Sequence, residues 1–312
     1  MEKWQNYLPG RVARHLQGHV GHATPVAELR ARYDAIFSDF GSTGPEVLVE
    51  PTQLGGVKGE WMTIDGSTPQ RLIIYLHGGG FVTGSPETHR PIVAKLCEAG
   101  NTAAFSVAYR LAPEFPFPAG LRDSVDAYRT LTGRGFPPQS IIVAGDGAGG
   151  GLAFSMLMAL RNAGLPMPAG IVALSPWADL TLCGWSMMRN AASDSVLSWE
   201  LLFVSARHYL RGGSAADPYA SAVYGSFRDF PPIMVHTGSR EILRDDASRL
   251  GELAAAANVP VSVEVYEGMQ HLFQVLSTVQ DGRVSINRMG QFIRARAAET
   301  DLSFLFAKLA AR

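Results

Sequence analysis

Cysteine is scarce in this chain and follows no pattern. Its 312 residues include only two cysteines, Cys97 and Cys183, which lie far apart. Two thiols at that separation provide neither the disulfide framework of a small secreted protein nor the ligand spacing of a zinc site. We therefore expect no disulfide and no metal site, and a reducing, cytoplasmic location.

Charge of one sign and long apolar runs are also lacking. The 27 basic and 28 acidic residues nearly cancel, and no Lys/Arg block forms a stripe that could follow phosphates. Residues 1–16 lack the apolar core of a signal peptide, and the apolar stretch from Leu152 to Leu160 is too short to span a bilayer. We expect a soluble protein that binds neither nucleic acid nor a membrane.

Short apolar segments are abundant instead, within a composition that is 46% hydrophobic. Segments rich in β-formers alternate with segments whose apolar residues recur at helical spacing, which predicts an α/β fold with a mostly parallel sheet and helices on both faces. The predicted strands are Leu72–Leu76, Ala103–Tyr109, Ile141–Ala144, Ile171–Leu174, Ile233–His236 and Val261–Tyr266. The predicted helices are Pro91–Ala99, Leu121–Leu131, Leu152–Ala163 and Ile242–Ala257.

Two segments interrupt this alternation with amphipathic helical sequence, and we expect them to form a helical cap over the sheet. The predicted organisation is an N-terminal cap segment at 1–44, a core at 45–184, a second cap segment at 185–215 and the rest of the core at 216–312. Before the first parallel strand, Val47–Glu50 and Val57–Ile64 predict an antiparallel hairpin at the sheet edge.

A glycine-rich motif, His77-Gly78-Gly79-Gly80-Phe81, directly follows the strand Leu72–Leu76. Glycines allow backbone N–H groups to turn into a cavity, where they can donate to the oxygen that becomes negative when an ester carbonyl is attacked. This motif is typical of an oxyanion hole in lipases and esterases. Taken alone, it is equally compatible with a flexible turn.

A second motif, Gly145-Asp146-Gly147-Ala148-Gly149-Gly150, lies between the strand Ile141–Ala144 and the helix predicted from Leu152. Strand, tight turn and helix form the setting of a nucleophile elbow, in which G-x-S-x-G holds a serine above the sheet. Here Gly147 occupies the serine position. A phosphate-binding loop is the alternative, but the spacing fits neither G-x-G-x-x-G nor a P-loop.

Two further loops follow later strands and contain an acid and a histidine. His271 lies in Gly268–Phe273, and Glu241 lies in Gly238–Asp246 together with the competing acids Asp245 and Asp246. Loops at the carboxyl ends of parallel strands meet at one sheet edge. The order of nucleophile position, acid and histidine is that of α/β-hydrolases.

These motifs together resemble the bacterial hormone-sensitive-lipase-like carboxylesterases, from about Pro25 to Ile293. Further segments resemble landmarks of that family in the same order: Tyr109–Glu114, Ser175–Leu180, Asp217-Pro218 and Pro231-Pro232. The resemblance implies a cofactor-free esterase for short or medium acyl chains or small aryl esters, and family members are often homodimers. It also implies that His271 is the general base, Glu241 the acid, and that Gly79, Gly80 and Ala148 provide the oxyanion N–H groups.

The chain departs from the family pattern at the nucleophile, because Gly147 replaces the serine of G-D-S-A-G-G and has no atom that can attack a carbonyl. Ala108 stands where the family commonly has an acidic residue. In the cap, aromatic and methionine side chains are candidates for an acyl pocket, although plain packing explains such residues as well. The candidates are Phe81, Met187, Phe203 and Tyr209, with Trp4, Tyr7 and Met188.

Two hypotheses explain Gly147. The serine of an esterase was replaced to capture intact substrate, or the chain is a natural non-catalytic binder of small molecules on the same scaffold. A lineage released from catalysis should drift at several functional positions. The glycine loop, an acid and His271 all persist, which favours the inactivated esterase. A third possibility is slow hydrolysis, in which His271 activates a water molecule.

Overall fold

The computed structural model describes residues 24–38, 46–65, 69–276 and 279–305. Eight strands form one sheet in the order β1-β2-β4-β3-β5-β6-β7-β8. The strands are β1 (Val47–Leu54), β2 (Val57–Ile64), β3 (Leu72–Leu76), β4 (Ala103–Val107), β5 (Ile141–Asp146), β6 (Gly170–Leu174), β7 (Ile233–Gly238) and β8 (Val261–Tyr266). The hairpin β1–β2 and the pair β2–β4 are antiparallel, and the other pairs are parallel.

The helices are α1 (Val26–Ser38), α2 (Pro86–Gly100), α3 (Ala119–Gly133), α4 (Gly147–Asn162), α5 (Ser186–Arg189), α6 (Trp199–Leu210), α7 (Arg244–Ala256) and α8 (Gln280–Arg296). Helices cover the sheet on both faces because the central strands are apolar on both. On β3, Leu72, Ile74 and Leu76 belong to the apolar cluster on the face covered by α3, α4 and α7, whereas Ile73 and Tyr75 belong to the cluster on the face covered by α2 and α8. The predicted α/β-hydrolase fold and its edge hairpin are confirmed.

Several predicted boundaries were wrong. The helix predicted from Leu152 begins at Gly147, so the glycines of the elbow form its first turn rather than a loop. A Cβ at Gly149 would lie 2.0 Å from the carbonyl oxygen of Leu76, which shows why glycine is needed where this helix meets the sheet. The helix predicted from Pro91 begins earlier, at Pro86, because Ser85 and Thr88 form a capping box there.

The described parts of the two predicted cap segments contain helices. In the first, α1 is held against the glycine loop, since the Arg30 guanidinium donates to the Val82 carbonyl at 2.9 Å and pairs with Glu114 at 2.7 Å. In the second, the α6 residue Tyr209 stacks on Phe81 with ring centroids 3.9 Å apart. The domain divisions at 44, 184 and 215 stay predictions.

In the ranges that the structure describes, none of the helices combines the length and the apolar character needed to cross a membrane.

Candidate active site

Loops that follow β3, β5, β7 and β8 meet at the carboxyl edge of the parallel strands, as the sequence predicts. They bring Gly147 to His271 and His271 to Glu241. The three predicted positions therefore form one cluster, although the sequence separates the first from the last by most of the carboxyl-terminal half.

Gly147 has the backbone of a nucleophile elbow. Its φ is +49°, in the left-handed region, and it follows the extended residue Asp146. A Cβ built on Gly147 would lie 3.5 Å from His271 Nε2 and 4.0 Å from Gly78 Cα, which are ordinary contacts. By contrast, a Cβ at the neighbouring Gly145 would lie 2.6 Å from Gly149. Gly147 is thus an elbow position with room for a side chain directed at the histidine.

His271 is held by Glu241. Its Nδ1 lies 3.1 Å from Glu241 Oε2, and 11% of the histidine side chain is exposed while the glutamate is buried. A carboxylate at Nδ1 fixes the proton there and leaves Nε2, the nitrogen facing Gly147, as an acceptor. Burial acts to lower the pKa of His271, but the hydrogen bond and the charge of Glu241 raise it above the ordinary 6.5.

Ser175 orients the acid, a role that the sequence analysis missed. Its hydroxyl donates to Glu241 Oε1 at 2.7 Å, and the N–H of Gly238 donates to the same oxygen. Ser175 has a φ of +46°, which is uncommon for a residue with a side chain and common at functional sites. Glu241 Oε1 is therefore anchored at the carboxyl ends of β6 and β7, and Oε2 contacts His271.

The second cap segment binds the backbone of the acid loop. Asn190 Nδ2 donates to the carbonyl oxygen of Glu241 at 2.7 Å, and Ser186 Oγ donates to that of Ile242 at 2.6 Å. Asp194 Oδ2 accepts from the Ile242 N–H at 2.9 Å. Burial raises the pKa of Asp194 to about 6, against the lowering effect of its backbone donors. Residues 186–194 therefore help to hold the backbone of Glu241 in place.

Two glycines of the glycine loop have N–H groups that are not used in backbone hydrogen bonds with other described residues. Gly79 and Gly80 have φ values of +109° and +63°, and no backbone acceptor for their N–H groups is found among the described residues. Ala148 lies in the first turn of α4, where N–H groups have no acceptor within the helix. These three residues are where the sequence predicts them, and their role stays a prediction.

Asp146 holds the glycine loop through buried hydrogen bonds. Its Oδ1 accepts from the Tyr75 hydroxyl at 2.7 Å and the Gly78 N–H at 3.0 Å, and its Oδ2 lies 3.3 Å from His89 Nε2. Burial acts to raise the pKa of Asp146, but His89 and the Tyr75 hydrogen bond lower it below the ordinary value. Asp146 therefore joins the elbow to the glycine loop through a buried carboxylate.

His77, the first residue of the glycine motif, is not placed for catalysis. Its ring is buried, stacks on Tyr109 at 4.2 Å, and its Nδ1 lies 2.7 Å from the carbonyl oxygen of Gly78. Burial lowers the pKa of His77 to about 3, so the ring is neutral. It packs beneath the loop.

The competing acids Asp245 and Asp246 hold backbone rather than the histidine. Asp245 Oδ2 accepts from the Ser186 N–H at 2.8 Å. Asp246 Oδ2 accepts from the N–H groups of Ala178 and Asp179 at 2.8 and 2.9 Å. Of the three carboxylates, Glu241 is the one in contact with His271.

The predicted pocket residues differ in their surroundings. Phe81 and Tyr209 are buried and stacked on each other, while Met187 is buried and Phe203 stacks on Trp199 with ring centroids 4.7 Å apart. Met188 is exposed. Trp4 and Tyr7 lie outside the described residues. Substrate contact by any of these side chains stays a prediction.

Among the described residues, no group of three or more His, Cys, Asp or Glu side chains is arranged to hold a metal ion.

Comparison with known proteins supports the same fold. Residues 73–275 match the family model described as alpha/beta hydrolase fold. An acetyl-hydrolase from Streptomyces hygroscopicus is 38% identical over 277 residues, which cover 88% of this chain and 91% of that protein. An esterase from Acinetobacter venetianus is 37% identical, over 75% of this chain and 77% of that protein.

Solved structures agree with these relatives. An esterase from the bacterial hormone-sensitive lipase family superposes with a TM-score of 0.90 at 34% identity, covering 94% of this chain and 98% of that one. The esterase EstE5, soaked with p-nitrophenyl butyrate, superposes with a TM-score of 0.85 at 34% identity, covering 92% and 99%. With its elbow, its histidine–acid pair and these relatives, the chain belongs to the α/β-hydrolase fold family, in which it resembles bacterial hormone-sensitive lipase esterases.

Proposed function

We propose that this chain is the scaffold of a carboxylic ester hydrolase for short or medium acyl chains or small aryl esters, inactivated at Gly147. One observation carries the proposal: a side chain at Gly147 would meet His271 Nε2 at ordinary contact distance, while Glu241 already holds the other ring nitrogen. The relatives named as esterases and acetyl-hydrolases support it.

The chemistry follows from these positions. In a form with serine at 147, the hydroxyl attacks the ester carbonyl while His271 takes its proton, and Glu241 stabilises the imidazolium that forms. The N–H groups of Gly79, Gly80 and Ala148 donate to the oxyanion. This chain lacks the attacking oxygen, so it binds intact ester and forms no acyl-enzyme.

The site supports an inactivated esterase better than it supports a natural, non-catalytic binder of small molecules. Glu241 contacts His271 and also accepts a hydrogen bond from the Ser175 hydroxyl, which orients the carboxylate towards the ring. A protein that only binds has no need of an oriented base. We include in the proposal a cytoplasmic location, a small ester as partner rather than nucleic acid or membrane, and a homodimer.

The test is the variant Gly147→Ser, assayed with p-nitrophenyl esters of increasing acyl length. Restoring the nucleophile should raise kcat by about 10⁴-fold or more, because loss of a triad nucleophile costs a factor of that order. Gly147→Ala is the matched control, since it adds the Cβ without the hydroxyl. A serine variant no faster than the alanine variant on every ester would contradict the proposal.

Binding provides a separate check. Calorimetry should detect binding of the best ester of the serine variant to the unaltered chain. Absence of any heat, under conditions where the serine variant turns over that ester, would exclude the chain as a substrate-capturing form.

A further inference from the structure

Gly147 has room for a methyl-sized group on its Cβ side, next to His271. The nearest atoms to a Cβ at this position are Nε2 and Cε1 of His271, at 3.5 and 3.6 Å, followed by Gly78 Cα at 4.0 Å. At two neighbouring glycines, backbone atoms already occupy the space into which a Cβ would point. At Gly149 and Gly151 the nearest backbone oxygens would be 2.0 and 1.9 Å away. Of these three glycines, only Gly147 has an opening of that size on its Cβ side, and His271 Nε2 faces it.

The rest of the catalytic machinery surrounds that opening. Glu241 holds the ring through Nδ1, and Ala148 follows Gly147 in the first turn of α4, where its N–H has no acceptor within the helix. Under the proposed function, the chain therefore supplies the base and the oxyanion donors, and it lacks the attacking oxygen.

We infer that this chain transfers the acyl group of a bound ester directly to a small external alcohol, without an acyl-enzyme. The inference rests on the proposed function, because it requires an ester at this site. The alcohol binds beside Gly147, with its hydroxyl against His271 Nε2 and its alkyl group on the side nearest to Gly147 Cα.

The step is balanced by proton transfer through the histidine. The alcohol oxygen forms a bond to the acyl carbon while its proton passes to His271 Nε2, and the resulting oxyanion accepts from the backbone N–H groups. The tetrahedral intermediate then breaks its bond to the leaving alcohol, which takes the proton back from His271. One ester and one alcohol become a new ester and the released alcohol, and no redox partner is required.

The size of the alcohol, and the fact that it is not covalently attached to the chain, determine the rate of this reaction. An unattached methyl group must stay at a non-bonded distance from Gly147 Cα, about 3.5–4.0 Å, so its hydroxyl lies further forward than a serine hydroxyl would. The alcohol also lacks the advantage of a covalent tether, so molar concentrations are required. Methanol should therefore work best, and the rate should fall for ethanol and again for 2-propanol.

The experiment uses the unaltered chain with p-nitrophenyl butyrate and increasing methanol. Release of p-nitrophenol should increase with methanol concentration, because the alcohol is the attacking group. Methyl butyrate is measured by gas chromatography. Its share of the acyl product should be about ten times the mole fraction of methanol in the solvent. Product at that solvent share, or release independent of methanol, would overturn the inference.

Two variants locate the reaction. Gly147→Ala puts a methyl group into the opening and His271→Ala removes the base, so each should abolish the methanol-dependent rate, with folding verified by thermal melts. If Gly147→Ala retained that rate, the alcohol would not bind at Gly147 and the inference would be wrong.

The serine variant separates this inference from the proposed function. If Gly147→Ser hydrolyses the ester and the unaltered chain shows no methanolysis, the inference fails and the proposed function stands. If Gly147→Ser is also inactive, both fail.

Discussion

Asp246 is a buried acid whose protonation should make folding stability depend on pH. It is fully buried at the start of α7, and its Oδ1 has no hydrogen-bond partner in the part of the chain that the structure describes. Burial, together with the charge of Asp179, raises the pKa of Asp246 to about 8, against the lowering effect of the Ala178 N–H. The folded chain therefore holds a proton at neutral pH that an unfolded chain releases.

The magnitude follows from the two pKa values. Between an unfolded pKa of 3.8 and a folded pKa of about 8, the folded state binds more protons, so the free energy of unfolding falls as pH rises. This contribution is fully present below the unfolded pKa and is lost as pH rises through the folded one. Four pKa units correspond to about 5 kcal/mol at most, and relaxation around the site lowers the expected effect to about 2–4 kcal/mol.

The perturbation is Asp246→Asn, which keeps an oxygen to accept from Ala178 and Asp179 but has no proton to lose. Urea unfolding of both proteins at pH 5 and pH 8 measures the difference. Between pH 5 and pH 8, the free energy of unfolding of the unaltered chain should fall by about 2–4 kcal/mol more than that of the variant. Contributions from Asp194 and His271 occur in both proteins and cancel in the comparison.

A second variant separates the proton from the hydrogen bonds. Asp246→Ala removes the acceptor, so it should be less stable than Asp246→Asn at both pH values, by about 1–3 kcal/mol. If the unaltered chain and Asp246→Asn lose stability in parallel between pH 5 and pH 8, Asp246 is ionised in the folded protein and the reasoning is refuted.

Three further predictions concern the serine form of the site. Gly147→Ser should be neutral to mildly destabilising in matched thermal melts. Its positive φ costs about 1–3 kcal/mol, whereas the reduced freedom of the unfolded chain contributes about 0.4–1 and a hydrogen bond to His271 about 0.5–1.5. A clearly more stable variant would show that the elbow is not strained. Its activity should rise with pH through a value above 6.5, because Glu241 raises the pKa of His271 and only the neutral ring accepts the proton; a flat profile across this range would argue against His271 as the base. Adding Ser175→Ala should lower kcat by about 10–100-fold with little change in KM, since a hydrogen bond to a charged group is worth about 1.5–3 kcal/mol; an unchanged kcat would mean that Glu241 needs no such anchor.

Much of the fold was predictable because its signals are local. Apolar β-rich segments such as Leu72–Leu76 are buried on both faces, and that pattern is readable from a few consecutive residues. The cluster of Gly147, Glu241 and His271 was predictable for a related reason. Each follows a strand of a parallel sheet, so their meeting at one edge needs only the topology.

Other parts of the site depend on contacts between distant segments. Ser175 and Glu241 are 66 residues apart, and Asp194 and Ile242 are 48 apart. Nothing in the local sequence marks Ser175 as the partner of an acid. The start of α4 was missed for a different reason, because glycine has a low helix propensity and tertiary contact with the sheet overrides it at Gly149.

The contacts between the second cap segment and the acid loop limit how this scaffold can be redesigned. Asn190 and Asp194 bind the backbone on both sides of the Glu241 side chain, at the Glu241 carbonyl and the Ile242 N–H. Replacing residues 185–215 with the equivalent segment of a related protein would remove both of these hydrogen bonds. Residues 186–198 and 239–242 should therefore be exchanged together, so that the replacement does not also misplace Glu241.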